Sequence, residues 1–197
     1  MDTADLAKMA FQHVRASYKK GIKSSTKSYR SGPRENSDVS RVELAHEYLL
    51  KARRDYYFGN ITQSDFFSGS EHAKIGNCGE MAYVTARYII QHGGNARVCA
   101  TIDNKTHSFC IVEKLMCNES GIISVKEFNN DSWVVDPWSG ICCPANSYFS
   151  EFFSKMDKWI VQGKSVYFQG GWVKANNPAW IECVLYGLLN VSCVDFS

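Results

Sequence analysis

In the stretch KIGNCGEMAYVTARYIIQHGGNARV (74–98), a cysteine stands directly before a helix-forming run. Asn77 is a good N-cap, and Glu80, three positions on, can reach back to the Asn77 backbone N–H. Cys78 is then the first helical residue. Its sulfur lies near unpaired N–H groups and the positive end of the helix dipole, which favour thiolate over thiol. Glu80 opposes this if it is close, so the sulfur needs a cation. His107, in THSFCIVEKL, supplies one as an imidazolium. Asp136 ends the apolar run SWVVDPW, a position from which a carboxylate can reach a neighbouring strand and hold the far nitrogen of the ring. The chemistry of such a trio is attack of sulfur on an acyl carbon. Each member also has a plainer reading: Cys78 as packing, His107 as a satisfied strand residue, Asp136 before proline as a turn former. Their joint placement at a helix start, in a hairpin and at a strand end favours the trio.

The remaining candidates are weaker. His72 and His92 have no carboxylate on an opposing strand and read as surface residues. Asp131 precedes the third strand instead of ending it, and Asp103 shapes a hairpin turn. Eight cysteines, an even number, suit a disulfide framework on paper. The N-terminus MDTADLAKMAFQHVRAS carries no signal-peptide pattern, however, so reduced thiols are expected. Cys99 and Cys110 sit in apolar runs as small hydrophobes, and Cys117 opens a polar segment. With no Cys-x-x-Cys pair, and with Cys142 and Cys143 adjacent, we expect no metal and no cofactor.

The elements that must position the trio follow from periodicity. Leu6, Met9, Ala10 and Val14 mark a short helix over 1–16. Residues 17–38, SYKKGIKSSTKSYRSGPRENSD, are Ser-rich and basic. They read as a solvated, partly disordered linker, or more sharply as a basic arm for an acidic partner. A helix is expected over 40–59, with a capping box at Ser40 and Glu43 and with Leu44, Tyr48 and Ala52 on one face. Residues 60–76 read as a loop. The helix after Asn77 buries Met81, Ala82, Thr85, Ala86, Ile89 and Ile90 and ends at Gly93 and Gly94. Strands over 96–102 and 106–115 form a hairpin around the turn 103–105, and a third strand stops at Pro137. Residues 147–163 look helical, with Phe149, Phe152, Phe153, Met156 and Ile160 on one side. AWIECVLYGLLNVSCVDF is a buried helix or strand; YFQGG resembles a tag scar but reads as native. The order gives an α+β fold: a nucleophile-bearing helix on an antiparallel sheet. We place an N-terminal arm at 1–38 and one domain at 39–197.

Bulk properties narrow the setting. With 197 residues, 45% apolar and 21% charged, the chain can build one core. A net charge of +2 argues for neither nucleic acid nor membrane, and no nucleic-acid partner is expected; no apolar run approaches the ~18 residues of a membrane span. We expect a monomer acting on a protein or peptide, either cytoplasmic or delivered into a host cell without a cleaved signal peptide.

The ordered set Gly76-x-Cys78-x-x-x-Ala82, Gly93-Gly94 with ARV, His107 before an apolar strand, then Trp133 and the DPW at Asp136, resembles the core of the transglutaminase-like superfamily, with its papain-like Cys-His-Asp arrangement. The resemblance covers about residues 74–140. It implies Cys78 as nucleophile, His107 as general base and acid, Asp136 as orienter, and a thioester intermediate. Relatives include transglutaminases, proteases, amidases and bacterial effector deamidases. The short chain and the close spacing of Cys78 and His107 leave little room for acyl-acceptor or calcium sites. That weakens the transglutaminase option. Deamidation of a protein glutamine is expected slightly ahead of peptide cleavage, with acyl transfer or a non-catalytic binding module as further alternatives. By the same resemblance the oxyanion donors are the Cys78 N–H and a second group: the Gln63 or Asn77 side chain, or the Trp138 indole.

Overall fold

A computed structural model describes residues 1–19, 21, 23–31, 35–102, 106–114 and 120–194, with 35–37 by backbone alone. Asp103 with its turn, and Cys117, lie outside the described residues. In chain order the elements are α1 (Thr3–Ser17), β1 (Lys27–Tyr29), α2 (Glu35–Tyr57), α3 (Gln63–Ala73), α4 (Cys78–Gln91), β2 (Asn95–Thr101), β3 (Ser108–Glu113), β4 (Gly121–Ile123), β5 (Trp133–Asp136), β6 (Ile141–Pro144), α5 (Tyr148–Val161), β7 (Lys164–Phe168), β8 (Gly171–Lys174), α6 (Pro178–Leu185) and β9 (Leu189–Cys193). The class is α+β, as expected, with two sheets of antiparallel strands. The larger runs β4-β9-β2-β3-β5-β6 and the smaller β1-β7-β8. None of the helices among the described residues is long and apolar enough to cross a membrane.

Strand alternation divides the core. Cys110, Val112 and Val135 face one side of the large sheet, where Ala86 and Ile89 of α4 and Leu6 and Ala10 of α1 cover them. Phe109, Ile111 and Val134 face the other, against Phe152 and Met156 of α5 and Trp180 and Val184 of α6. Central strands buried on both faces read as continuous apolar runs, as FCIV does in β3. The β3–β5 register pairs Cys110 with Val135 and Ile111 with Val134. One step further it sets Asp136 opposite Phe109, and His107, two residues before Phe109, lies on that same face.

Several expectations are corrected. The linker over 17–38 is not a solvated arm in its described part. Ser24 and Ser28 are fully buried, Lys27–Tyr29 pairs with β7, and Leu6, Ala7, Ala10 and Val14 of α1 belong to the core. The described residues before 39 thus pack with those after it. The 60–76 loop contains α3, started by a capping box in which Asp65 N donates to Thr62 Oγ1 at 3.1 Å and Thr62 N to Asp65 Oδ2 at 3.1 Å. α2 begins at Glu35, so Ser40 lies inside it. Its buried face is Val42, Ala45 and Leu49, while Leu44 is exposed. α5 buries Tyr148, Phe152, Met156 and Trp159, and leaves Phe153 exposed. AWIECVLYGLLNVSCVDF divides into α6 and β9; Asn177 caps α6 by accepting from Trp180 N at 3.1 Å, and Pro178 opens it. The YFQGG stretch is a hairpin turn, with Gln169 and Gly170 at φ +48° and +82°.

The N-terminal segment is anchored at Gly163, whose carbonyl accepts from Arg30 N at 2.8 Å. Gly163 has φ +71°, and a Cβ there would lie 2.3 Å from the Ser31 carbonyl oxygen. Gly163→Ala is expected to lower unfolding free energy by about 2 kcal/mol or more, read by urea denaturation. An unchanged midpoint would mean that the segment is not docked on β7.

Candidate active site

His107 is fully buried one residue before β3, and Asp136 is fully buried at the end of β5. Asp136 accepts only, so His107 Nε2 carries the proton and donates to Asp136 Oδ2 at 2.7 Å. The carboxylate has two further donors: Tyr148 Oη to Oδ2 at 3.2 Å and Ser139 N to Oδ1 at 3.0 Å. The turn itself is closed by Gly140 N to Asp136 O at 2.9 Å. Burial alone would raise the Asp136 pKa, but the His107 charge and these hydrogen bonds outweigh it and hold the carboxyl below its ordinary value. Burial likewise favours a neutral His107. The charge and hydrogen bond of Asp136 outweigh that, with Cys78 adding to them, so the ring is raised well above an ordinary histidine.

The second ring nitrogen, Nδ1, is buried without a hydrogen bond of ordinary geometry. Cys78 is the group outside the Asp136 pair that acts on the ring by hydrogen bonding and charge. Its side chain is half-buried in the first turn of α4. The ring is walled by Trp138, Trp180, Phe152 and Phe109, with centroids 5.3, 5.6, 5.9 and 6.0 Å away. Water is therefore excluded from the imidazole.

The N-terminus of α4 is built as the sequence implies, with one addition. Asn77 N donates to Glu80 Oε2 at 2.8 Å. The other Glu80 oxygen accepts from Arg53 of α2, Nη2 at 2.7 Å and Nε at 3.1 Å. Both carboxylate oxygens are engaged away from the sulfur, which answers the concern that Glu80 would oppose a thiolate.

The oxyanion candidates fare differently. The Asn77 side chain accepts from Ser24 Oγ at 2.8 Å and Ser25 N at 2.9 Å, and donates to Ser25 Oγ at 3.0 Å. The Trp138 indole N–H donates to Ser24 Oγ at 2.9 Å. The Trp138 N–H, the Asn77 oxygen and one Asn77 amide hydrogen are thus engaged, and a relay, Trp138–Ser24–Asn77, ties the turn after Asp136 to the residue before Cys78. Gln63 is exposed at the far end of α3, whose eleven residues place it about 16 Å from the end leading to Cys78. The backbone N–H groups of Cys78 and Gly79, free of intrahelical partners by their position, are the donors left at the sulfur. Asp131, His72 and His92 are exposed. Cys99 and Cys110 are fully buried, and burial pushes both thiols up. Among the described residues no group of three acidic, His or Cys side chains is arranged to hold a metal.

Sequence reasoning did not find Tyr148, Ser139 or Ser24. Ser139 has a local signal, since an Asp at a turn readily accepts from the backbone N–H groups that follow it. Tyr148 and Ser24 are long-range partners without one. Searches against protein-family models, curated proteins and solved structures each find no match for this chain.

The pair sets a pH dependence. His107 is raised on folding, so its contribution to stability is full below the free-imidazole pKa of about 6.5 and fades as pH climbs through the raised value. Asp136 is lowered, so its contribution is full above about 3.9 and fades as pH falls through the lowered value. NMR of the imidazole is expected to find His107 still protonated at about pH 7.5 in the wild type and titrating lower in Asp136→Asn. A ring titrating at or below about 6.5 in the wild type would contradict the ion-pair description.

Proposed function

We propose that the protein is a thiol hydrolase of amide bonds on a papain- or transglutaminase-like core, with Cys78, His107 and Asp136 as its triad. One observation carries the reading: a fully buried imidazole with one nitrogen fixed by a buried carboxylate and the other unpaired beside a helix-first cysteine. A packing cysteine and a satisfied core histidine require no such arrangement. Deamidation of a protein glutamine is the preferred reaction, as the compact chain leaves little room for a separate acyl-acceptor site.

The steps follow from the positions. His107 Nδ1 takes the Cys78 proton, and Asp136 stabilises the resulting imidazolium. The sulfur attacks the carboxamide carbon, forming a C–S bond. The oxyanion is held by the Cys78 and Gly79 backbone N–H groups. His107 gives its proton to the leaving nitrogen, the C–N bond breaks and ammonia departs. Water, deprotonated by His107, then cleaves the thioester to the carboxylic acid and returns the thiol. The net change is amide plus water to acid plus ammonia.

Mass spectrometry of candidate proteins incubated with wild type and Cys78→Ala tests this. A gain of about 1 Da at glutamine, with ammonia release and no scission, is expected of the wild type. Loss of about 10⁴-fold or more in rate is expected for Cys78→Ala and for His107→Ala, with Asp136→Asn also strongly impaired. Chain scission without ammonia release would make it a protease. Undiminished turnover in Cys78→Ala would refute the triad.

A further inference from the structure

A cavity of about 350 Å³ opens behind the turn that follows Asp136. Six of its lining residues are cations: Arg15, Lys19, Lys23, Lys27, Arg41 and Lys164. They come from four places in the chain: the end of α1 and the residues just after it, the segment 23–29, α2, and the start of β7. Among the described lining residues the single carboxylate is Asp38. It is already engaged by Arg41 Nε at 2.6 Å, by Ser28 Oγ at 2.9 Å and by Tyr29 N at 2.7 Å.

The remaining cations bear on one another. Desolvation first, then the like charges of Lys164 and Arg15, holds the Lys27 amine well below its ordinary value. Lys23 is lowered by desolvation and by Arg15 and Arg41. Lys27 lies over the Trp138 and Trp159 rings, 4.7 Å from each centroid, and donates to the Trp138 carbonyl. Arg15 Nη1 donates to the Pro137 carbonyl at 3.2 Å. Folding therefore gathers Arg15, Lys19, Lys23 and Lys164 around a recess whose one described carboxylate is already taken by Arg41. A monocarboxylate would leave most of their charge unbalanced. Clustered phosphates supply several negative charges within a few ångströms and accept from ammonium, guanidinium and hydroxyl donors together.

We propose that this cavity binds a small, multiply charged phosphate-bearing anion from solution. The bound anion bridges α1, the 23–29 segment and β7. That segment also holds the residues next to the candidate nucleophile and acid: Lys23 O accepts from Gly76 N at 2.6 Å, and Ser24 joins Asn77 to Trp138. Occupancy removes like-charge repulsion from the segment and so stiffens the relay. That consequence for catalysis rests on the hydrolase reading; the binding itself does not.

Inorganic tripolyphosphate is the probe, titrated into the full chain by calorimetry and thermal denaturation at constant ionic strength in sodium chloride. Saturable binding with Kd at or below about 100 µM and a rise in Tm of a few degrees are expected. The double variant Lys23→Gln/Lys164→Gln is expected to melt higher than wild type without ligand, since repulsion is relieved, and to bind about ten-fold or more weakly. Cys78→Ala should bind as wild type does, which keeps this result separate from the outcome of the hydrolase test. An effect no larger than that of sulfate at equal ionic strength, or equal binding by the double variant, would overturn the proposal. So would co-sedimentation with phosphatidylcholine vesicles containing a phosphoinositide bisphosphate, undisplaced by tripolyphosphate, since the anion would then be a lipid headgroup.

Discussion

The buried pair of His107 and Asp136 is the constraint around which the molecule is arranged. Both side chains are fully enclosed, and removing two ionisable groups from water costs several kcal/mol each. Only good geometry offsets that cost. Asp136 has it: an imidazole N–H, a phenol O–H and a backbone N–H converge on one carboxylate. These donors come from the approach to β3, from α5 and from the turn after β5, so the register of the sheet and the docking of α5 must both be correct. Burial also keeps the Tyr148 hydroxyl protonated, pushed well up, and hence a donor. The aromatic wall of Trp138, Trp180 and Phe152 keeps the interaction dry and strengthens it. Nδ1 then stands out as a polar atom that the fold leaves unpaired beside a thiol.

A second level of organisation holds the two sides of the site together. α4 covers one face of the large sheet, while Trp138, in the turn after Asp136, packs against Trp159 of α5 and Trp180 of α6. The 23–29 segment bridges them through Ser24, with Asn77 at one end of the relay and Trp138 at the other. Arg53 of α2 neutralises Glu80 from a further direction. The basic character of the segment, which reads as solubilising in composition, takes on a different meaning once it is packed. Lys19, Lys23 and Lys27 line a recess together with Arg15, Arg41 and Lys164.

What could be read in the sequence was what local pattern encodes. Asn77 and Glu80 announce the start of α4; apolar runs around Cys99, Cys110 and Val134 announce the hairpin and third strand; Asp136 before proline marks the strand end. The α+β class and a shared face for His107 and Asp136 follow from these. Where the signal was long-range, it was silent. Ser24, Ser25 and Ser28 are buried because Asn77, Trp138 and Asp38 satisfy them, and a Ser-rich stretch carries no hydrophobic period to reveal that. α2 and α3 were misjudged for opposite reasons. Ser40 and Glu43 imitate a capping box inside a helix that had already begun, whereas Thr62 and Asp65 form a real one amid residues of turn-like composition. The Asn77 and Trp138 side chains looked available as oxyanion donors because their partners lie more than fifty positions away.

The measurement that bears most directly on the triad is the site-resolved rate of iodoacetamide alkylation at about pH 6, where ordinary thiols react slowly. Cys193 is exposed and Cys78 is half-buried, so access alone would make Cys193 the faster. The account predicts the reverse in the wild type, with the advantage of Cys78 abolished in His107→Ala. Labelling of Cys78 no faster than Cys193, and indifferent to His107, would contradict it.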